Sequence, residues 1–211
     1  MNVKKLCHKL SIAKIYLAKI IFGRIIVLDY ENSEIQYCQA LGPKPQAKPG
    51  ALDFYRYELI YKKLCSGSVL DIGVYYADFL RMVRKDGRQV FGTEANQGRR
   101  DFANAIIGED VVVVDFQNGR LRTFQDSSVD NVVCMEVIEH IVDDKFAVSE
   151  LCRVARKKVI ITVPFREKIK KSLCVHCGKF TPNSGHLHSY DLDSFSELVP
   201  DGWQVTNVKP F

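Results

Sequence analysis

Val69-Leu-Asp-Ile-Gly73 is a short apolar run that ends in a carboxylate and a glycine. Further along the chain, Val111-Val-Val-Val114 and Val159-Ile-Ile-Thr-Val163 are continuous aliphatic runs. Such runs, without polar alternation, predict strands that are covered on both faces. Helical patterns separate them, which is typical of βαβ units. The sequence therefore predicts a doubly wound α/β domain with a mostly parallel sheet and helices on both faces.

The alternation of strand and helix patterns begins at residue 53. In such a fold the ligand lies beyond the carboxyl ends of the strands, so we expect the functional residues there. Strands are predicted over residues 69–72, 89–93, 111–114, 129–135 and 159–163. Helices are predicted over residues 53–64, 78–84, 99–107 and 143–154.

The composition is that of an ordinary globular protein. The chain has 211 residues, of which 46% are hydrophobic and 26% are charged. These values exclude wholesale disorder, a collagen-like repeat and a multi-span membrane protein. The net charge of +5 is uneven, because residues 1–28 contain six bases and no acid, whereas the remainder carries 24 bases and 25 acids. The domain is therefore electrically balanced, which gives no general argument for nucleic-acid binding.

The cysteine pattern indicates a reducing compartment. Five of the seven cysteines are scattered singly, unlike the cysteines of a secreted disulfide framework. Lysines interrupt every apolar stretch near the start of the chain and no small-residue cleavage site follows, so we predict no secretory signal. We expect a cytoplasmic protein.

Residues 1–41 are predicted to form a separate helical segment. Apolar residues recur at three- and four-residue spacing over residues 1–24, with lysines around them. Two interpretations stay open: a helix packed on the domain or on a second subunit of a homo-oligomer, or a peripheral membrane contact or lid. Residues 42–52, rich in proline and glycine, are a predicted linker. The α/β domain then occupies residues 53–211, with an insertion over residues 165–190.

Acidic side chains follow three consecutive predicted strands. Asp71 and Gly73 end the first strand, Glu94 ends the second, and Asp115 and Phe116 end the third. A carboxylate after the second strand suits the two hydroxyls of a ribose, and an acid beside an aromatic ring suits an adenine. One acid at a strand end is commonly only a helix cap. Three in order favour a shared ligand site.

In this order the motifs resemble those of class I S-adenosylmethionine-dependent methyltransferases. The last of them is similar to the type 11 branch, which acts on small molecules. The resemblance covers roughly residues 55–165 and, less specifically, residues 190–208. The residues that carry it are Val69-Leu-Asp-Ile-Gly73, Glu94, Asp115-Phe116 and Asp126-Ser-Ser-Val-Asp-Asn-Val-Val-Cys-Met-Glu-Val-Ile-Glu-His140.

This resemblance implies a Rossmann-like methyltransferase fold, S-adenosylmethionine as cofactor and a small-molecule methyl acceptor. It also implies direct displacement at the sulfonium methyl, in which the protein aligns the nucleophile with the methyl group. The residues that the resemblance places at the cofactor are Asp71, Gly73, Tyr75, Ala77, Glu94, Asp115, Phe116 and Met135.

Two features depart from the family pattern. Tyr75 and Ala77 stand where the family usually has the second and third glycines of its first turn. Glycine there lets the backbone approach a ligand, so Tyr75 either reshapes the pocket or blocks it, and a non-catalytic binding module stays an alternative. The family sheet normally has seven strands. With a last strand over residues 203–208, this chain has only six predicted strands. Either the sheet has six strands, or the N-terminal segment or a partner covers its edge.

Glu136 and His140 are the predicted catalytic residues. With Glu139 they have i, i+3 and i+4 spacing, which predicts one helical face just beyond the fourth strand. His140 is the better candidate for a base, because imidazole changes its protonation near neutral pH. The alternative is that Glu139 favours a helix start and that His140 is a packed ring.

A basic run over residues 153–171 contains eight basic residues and one acid. It predicts either a docking surface for an anionic substrate, RNA or protein, or a solvated face. Because the domain as a whole is balanced, we do not favour nucleic acid as the partner.

The insertion, for which we predict little regular structure, contains a C-x₂-C and an H-x-H pattern. A C-x₂-C turn places two thiolates on one ion, and histidines two residues apart point to the same face of an extended segment. We therefore predict a structural Zn²⁺ site with Cys174, Cys177, His186 and His188 as ligands. His176 is an alternative to either histidine. Without metal, the pattern is a pair of reduced thiols beside histidines at the substrate mouth.

Overall fold

The computed structural model describes residues 50–108, 111–113, 115–174 and 178–208. The predicted N-terminal helical segment and most of the predicted linker lie outside these residues, and so does Cys177 of the predicted zinc site. None of the helices among the described residues is both long and apolar enough to cross a membrane.

Strands and helices alternate through the domain in the predicted order. Short 3₁₀ turns follow two of the strands, at Gln117–Gly119 and Ile138–His140. The described helices are α1 (Ala51–Tyr61), α2 (Asp78–Arg84), α3 (Gln97–Ile107), α4 (Asp144–Val154) and α5 (Ser194–Leu198). The described strands are β1 (Val69–Ile72), β2 (Val90–Thr93), β3 (Val112–Val113), β4 (Val129–Met135), β5 (Ala155–Thr162), β6 (Lys171–Leu173) and β7 (Phe180–Pro182).

The main sheet confirms the predicted fold class. In the described part of the chain it has five parallel strands in the order β3-β2-β1-β4-β5. All four residues of β1 are buried, because apolar layers cover both faces of the sheet. The strand order reverses at β1, which has β2 on one side and β4 on the other. In an open α/β sheet the ligand crevice lies at this switch point, so the carboxyl ends of β1, β2 and β4 frame the candidate site.

The side chains of β1 alternate between two apolar layers. Leu70 and Ile72 pack in the layer that contains Leu151 of α4. Val69 packs in the opposite layer, with Phe79 of α2. Because successive side chains of a strand point to opposite faces, Asp71 lies on the face of Val69. The carboxyl of Asp71 is therefore on the side of the sheet that α2 covers.

Two predictions about the C-terminal part were wrong. Residues 203–208 form no strand, and the described residues contain no sixth strand of the main sheet. Trp203 packs against the core, but Val205 and Val208 are exposed, so this segment has too little apolar surface to join the sheet. The insertion also has regular structure, because β6 and β7 form an antiparallel hairpin.

Candidate active site

The turn after β1 is held by a hydrogen bond to the end of β2. The N–H of Gly73 donates to the carbonyl of Thr93 at 2.9 Å. A side chain is excluded at Gly73, because φ is 73° and an added Cβ would lie 2.7 Å from Cγ2 of Val137. Tyr75 and Ala77 also have positive φ angles, of 53° and 60°. The chain thus keeps the left-handed backbone that glycine prefers, although two larger residues adopt it.

Glu94 joins this turn to the start of α3. The residue is 7% exposed. Oε2 accepts a hydrogen bond from the backbone N–H of Tyr75 at 3.1 Å, and Oε1 accepts one from that of Asn96 at 2.9 Å. Each carboxylate oxygen has two acceptor positions, so both oxygens keep one for a further donor. The predicted role of Glu94 at ribose hydroxyls fits this geometry.

Asp71 is an uncompensated acid at the end of β1. The residue is 1% exposed, and its Oδ1 has no hydrogen-bond partner among the described residues. Burial raises the pKa of Asp71 well above its usual value, and the nearby Glu94 carboxylate raises it further. A ligand that brings a cationic or hydroxyl group to this strand end would satisfy the free oxygen. Met135, at the end of β4, is half-buried against the apolar layer that contains Val69 and Phe79.

Asp115 organises the loop that follows β3. Its carboxylate accepts hydrogen bonds from the backbone N–H groups of Phe116, Arg122 and Thr123 at 2.8, 3.0 and 2.8 Å. Burial alone would raise the pKa of Asp115, but these donors hold it below its usual value. Phe116 is buried in the core with a φ of 65°. The structure thus shows a loop-forming role for Asp115, and the predicted adenine contacts of the pair stay a prediction.

Arg99, which no sequence motif singles out, lies beside the predicted cofactor residues. It lies in the first turn of α3, is 6% exposed, and places its guanidinium carbon 4.5 Å from the centroid of the Tyr75 ring. Its Nε and Nη2 have no hydrogen-bond partner among the described residues. A cation is disfavoured in the first turn of a helix. An arginine at this position, shortly after Glu94, is therefore the feature of the sequence that could indicate a ligand-binding role. A buried guanidinium with free donors fits an anionic or hydroxyl-rich ligand.

Glu136 follows β4 in a strained conformation. Its φ is 53°, so the predicted helical face shared with Glu139 and His140 is wrong; a short 3₁₀ turn begins only at Ile138. Oε1 of Glu136 accepts a hydrogen bond from Oγ1 of Thr162 at 2.9 Å. Nη2 of Arg56, from α1, lies 4.0 Å from the same oxygen.

Glu139 and His140 face the inserted loop. Glu139 is 0% exposed, and neither of its carboxylate oxygens has a hydrogen-bond partner among the described residues. The Nδ1 atom of His140 lies 3.3 Å from the carbonyl of Gly185, and its ring centroid is 4.7 Å from that of His186. Burial lowers the pKa of His140, and the proximity of His186 lowers it further.

The three predicted zinc ligands that the structure describes are Cys174, His186 and His188, and they do not come together as one group. His188 has Nε2 at 2.8 Å from the carbonyl of Ile141 and Nδ1 at 3.4 Å from Oδ2 of Asp144. His186 contacts His140. Within the described part of the chain, Cys174, His186 and His188 do not form a metal-binding group with one another. Cys177 lies outside that part, so this zinc site stays a prediction.

Comparisons with known proteins place these observations in one family. A Mycolicibacterium smegmatis protein described as an S-adenosylmethionine-dependent methyltransferase is 31% identical over 166 residues, which are 74% of this chain and 60% of that relative. A structure of an Aquifex aeolicus S-adenosylmethionine-dependent methyltransferase superposes with a TM-score of 0.52 at 17% identity, over 72% of this chain and 80% of the other.

A further similar structure is a complex between the Haloferax volcanii Trm112 methyltransferase activator and a methyltransferase. It has a TM-score of 0.54 at 18% identity, over 79% of this chain and 74% of the matched one. These structural likenesses support the fold. Residues 70–163 also match the family model described as a methyltransferase domain. Together, the family match and the relative show that residues 70–163 are an S-adenosylmethionine-dependent methyltransferase domain, and the similar structures share its fold.

Proposed function

We propose that this protein transfers a methyl group from S-adenosylmethionine to a small molecule. The observation that carries the proposal is the proximity of the carboxyl groups of Asp71 and Glu94 at the switch point of the sheet. Oδ1 of Asp71 has no hydrogen-bond partner among the described residues, and Glu94 accepts hydrogen bonds from the backbone of Tyr75 and Asn96. The activity of the whole protein is a proposal, because the chain spans 60% of the length of the curated relative.

In this proposal the cofactor lies across the carboxyl ends of β1, β2 and β3. Glu94 binds the ribose hydroxyls, and Asp71 accepts a hydrogen bond from the ligand with its free Oδ1. When bound, S-adenosylmethionine supplies an activated methyl group on a sulfonium. The other residues proposed to line the cofactor are Gly73, Tyr75, Ala77, Asp115, Phe116 and Met135.

The methyl acceptor is proposed to lie at the turn after β4, beside Glu136 and His140. The lowered pKa of His140 keeps its imidazole neutral at neutral pH, which is the form that accepts a proton or binds an electrophile. Glu136 accepts a hydrogen bond from Thr162 and lies 4.0 Å from Arg56, so these two residues orient its carboxylate at the acceptor end.

The basic run over residues 153–171 begins with bases that are bound inside the domain, which favours a small acceptor over RNA. Arg153 binds the carboxylates of Glu150 and Asp126 and two backbone carbonyls. Arg156 and Lys157 both lie 3.0 Å from Oδ1 of Asp130. Charges that are neutralised by neighbouring acids contribute little to the attraction of a phosphate backbone.

The test is a calorimetric titration of the protein with S-adenosylmethionine and S-adenosylhomocysteine. We expect one site per chain for each. If millimolar ligand gives neither heat nor a thermal shift, the turn at Tyr75 is closed to the cofactor and the domain is a non-catalytic binding module. If the protein binds RNA with a steep salt dependence, the acceptor class is wrong.

The zinc site of the inserted loop is a separate proposal, with Cys174 and Cys177 as its thiolate ligands. A C-x₂-C pair is the part of the predicted set that suits Zn²⁺ best. Zinc analysis of protein purified without a polyhistidine tag, on wild type and on the Cys174→Ser/Cys177→Ser double variant, tests it. Equal zinc content in the two proteins would show that these thiolates do not bind zinc.

A further inference from the structure

Three side chains from two separate parts of the chain converge on one point beside the proposed acceptor end. Glu139 and His140 come from the 3₁₀ turn after β4, and His186 comes from the inserted loop after β7. One potential ligand atom from each lies within 4.8 Å of the other two. No other group of this kind, with three or more of the residue types His, Cys, Asp and Glu, occurs in the described ranges.

Both histidines have one ring nitrogen directed at an oxygen atom of the protein. Nδ1 of His140 faces the carbonyl of Gly185 at 3.3 Å, and Nδ1 of His186 contacts the carboxylate of Glu167. A hydrogen bond from Nδ1–H fixes the tautomer in which Nε2 carries the lone pair. Metal-binding histidines nearly always donate their other ring N–H to a carboxylate or a carbonyl in this manner.

Glu139 supplies the independent reason to expect a cation. The residue is 0% exposed, yet both of its carboxylate oxygens lack a hydrogen-bond partner among the described residues. A buried carboxylate without a partner is strongly destabilising, and native proteins satisfy such groups with a counter-charge or a metal. Arg56 is a nearby cation, but its acidic contacts are with Asp53, at 3.8 Å, and Glu136, at 4.0 Å.

We propose that Glu139, His140 and His186 bind a divalent metal ion. Two imidazoles and one carboxylate are the ligand set of catalytic zinc sites and of sites for Mn²⁺, Fe²⁺ or Co²⁺, and a poor set for Ca²⁺, which takes oxygen ligands. Three protein ligands leave coordination positions open. Both histidines are only partly buried, so a small molecule can reach the ion.

The use of the open positions rests on the proposed function. A hydroxyl bound to a divalent ion loses its proton far more easily than in water. The acceptor is then an alcohol or phenol whose oxygen binds the ion, and its proton leaves to solvent. That oxygen forms a bond to the methyl carbon, the carbon–sulfur bond breaks, and its electron pair stays on sulfur. His140 is thus a metal ligand and not the general base.

The test is a titration of metal-free protein with Co²⁺, Zn²⁺, Mn²⁺ and Mg²⁺ alone, by calorimetry and, for Co²⁺, by visible absorption. We expect one ion per chain, with Mg²⁺ the weakest. Glu139→Gln, His140→Ala and His186→Ala should each weaken binding by about 100-fold or more, since even the groups that orient metal ligands contribute 10–100-fold. Glu167→Gln should weaken it about 10-fold.

Thermal unfolding keeps the test decisive if a variant folds poorly. Metal should raise the Tm of wild type and leave that of Glu139→Gln unchanged. Without metal, Glu139→Gln should be at least as stable as wild type, because it removes an uncompensated buried acid. Glu58→Gln, an exposed acid on α1, is the matched control and should behave as wild type.

Two results would overturn the proposal. One is that wild type and Glu139→Gln bind Co²⁺ equally. The other is that Cys174→Ser/Cys177→Ser abolishes metal binding while Glu139→Gln retains it, which would assign the ion to the inserted loop. Titration of the same proteins with S-adenosylhomocysteine separates this proposal from the proposed function. Cofactor binding without metal binding rejects the metal site alone, and the reverse result rejects the cofactor site alone.

Discussion

The rings of His140 and His186 meet edge to face, with their centroids 4.7 Å apart, although the hairpin of β6 and β7 lies between them in the sequence. This contact joins the turn after β4 to the inserted loop. A backbone hydrogen bond from Leu187 to the carbonyl of Glu139, at 2.7 Å, fixes the same junction. The insertion is therefore a wall of the proposed acceptor site and not an appendage on the surface.

Arg99 tests the cofactor end of the site. Its buried guanidinium has free donors, so replacing it with Met, of similar length, should leave the free energy of unfolding equal to or above that of wild type. The affinity for S-adenosylhomocysteine should fall by about 10-fold, as expected for a lost hydrogen bond to a charged group. Chemical denaturation and calorimetric titration measure the two effects. An unchanged affinity would show that Arg99 only packs against Tyr75.

Asn131 tests the anchoring of β1. It is fully buried on β4 and bonds the backbone N–H and carbonyl of Cys65 and the carbonyl of Ser68 at 2.7, 3.1 and 3.0 Å. Asn131→Ala should lower the free energy of unfolding by about 2–4 kcal/mol, since each buried group left unpaired costs about 1–3 kcal/mol. Urea denaturation measures this loss. The exposed Asn207→Ala is the control, and equal stability of the two variants would contradict the assignment.

Asp130 gives a prediction of pH dependence at the opposite, amino-terminal edge of the sheet. Hydrogen bonds from Lys157, from the backbone of Ser68 and from Arg156 lower the pKa of Asp130 in the folded protein. A lowered pKa stabilises the fold above the unfolded pKa of about 3.9, and this stabilisation is lost as the pH falls below it. Asp130→Asn should therefore be less stable than wild type at pH 7.

The measurement for Asp130 is urea unfolding of wild type and variant near pH 7 and near pH 3. The difference in unfolding free energy should shrink at the lower pH. Asp126→Asn, at a side chain that is 78% exposed, should show a much smaller difference at both values. A difference for Asp130→Asn that is the same at both pH values would exclude the ionised carboxylate as its source.

The N-terminal segment gives a prediction about domain boundaries. Because the sequence predicts a separate helix over residues 1–24 and a linker rich in proline and glycine over residues 42–52, a protein that lacks residues 1–48 should fold and bind cofactor as the full chain does. Circular dichroism and calorimetric titration measure the two properties. Loss of binding in a folded truncated protein would show that the segment is a lid over the site. An insoluble product would show that it belongs to the core.

The sequence predicts the sheet well because its strands are buried on both faces. β1 and β4 begin and end at the predicted residues. The continuous Val and Ile runs at 111–114 and 159–163 contain described strand residues of β3 and β5, whose bounds differ from the predicted ones. The first residue of β5 differs from the predicted one. β5 starts at Ala155, directly after α4, because it pairs with the whole length of β4, and the charged residues of that segment concealed the strand.

The sequence indicates only part of the candidate site. Asp71 lies near the end of β1 and Glu94 directly follows β2, and a strand end is a local signal that can be read from a single sequence. The convergence of Glu139 with His186 depends on the path of the inserted loop, which no periodicity encodes. The left-handed backbone at Glu136 was also hidden, because the spacing of its neighbours imitates a helix.

The proposed cofactor site is tested by the affinity for S-adenosylmethionine of wild type, Glu94→Ala and the matched control Glu58→Ala. Glu94 is buried at the end of β2, whereas the side chain of Glu58 is 66% exposed on α1. We expect Glu94→Ala to lose about 10–150-fold in affinity, equivalent to roughly 1.5–3 kcal/mol, and Glu58→Ala to bind as wild type does. Equal affinities of a folded Glu94→Ala variant and wild type would contradict the placement of the cofactor at the carboxyl ends of these strands.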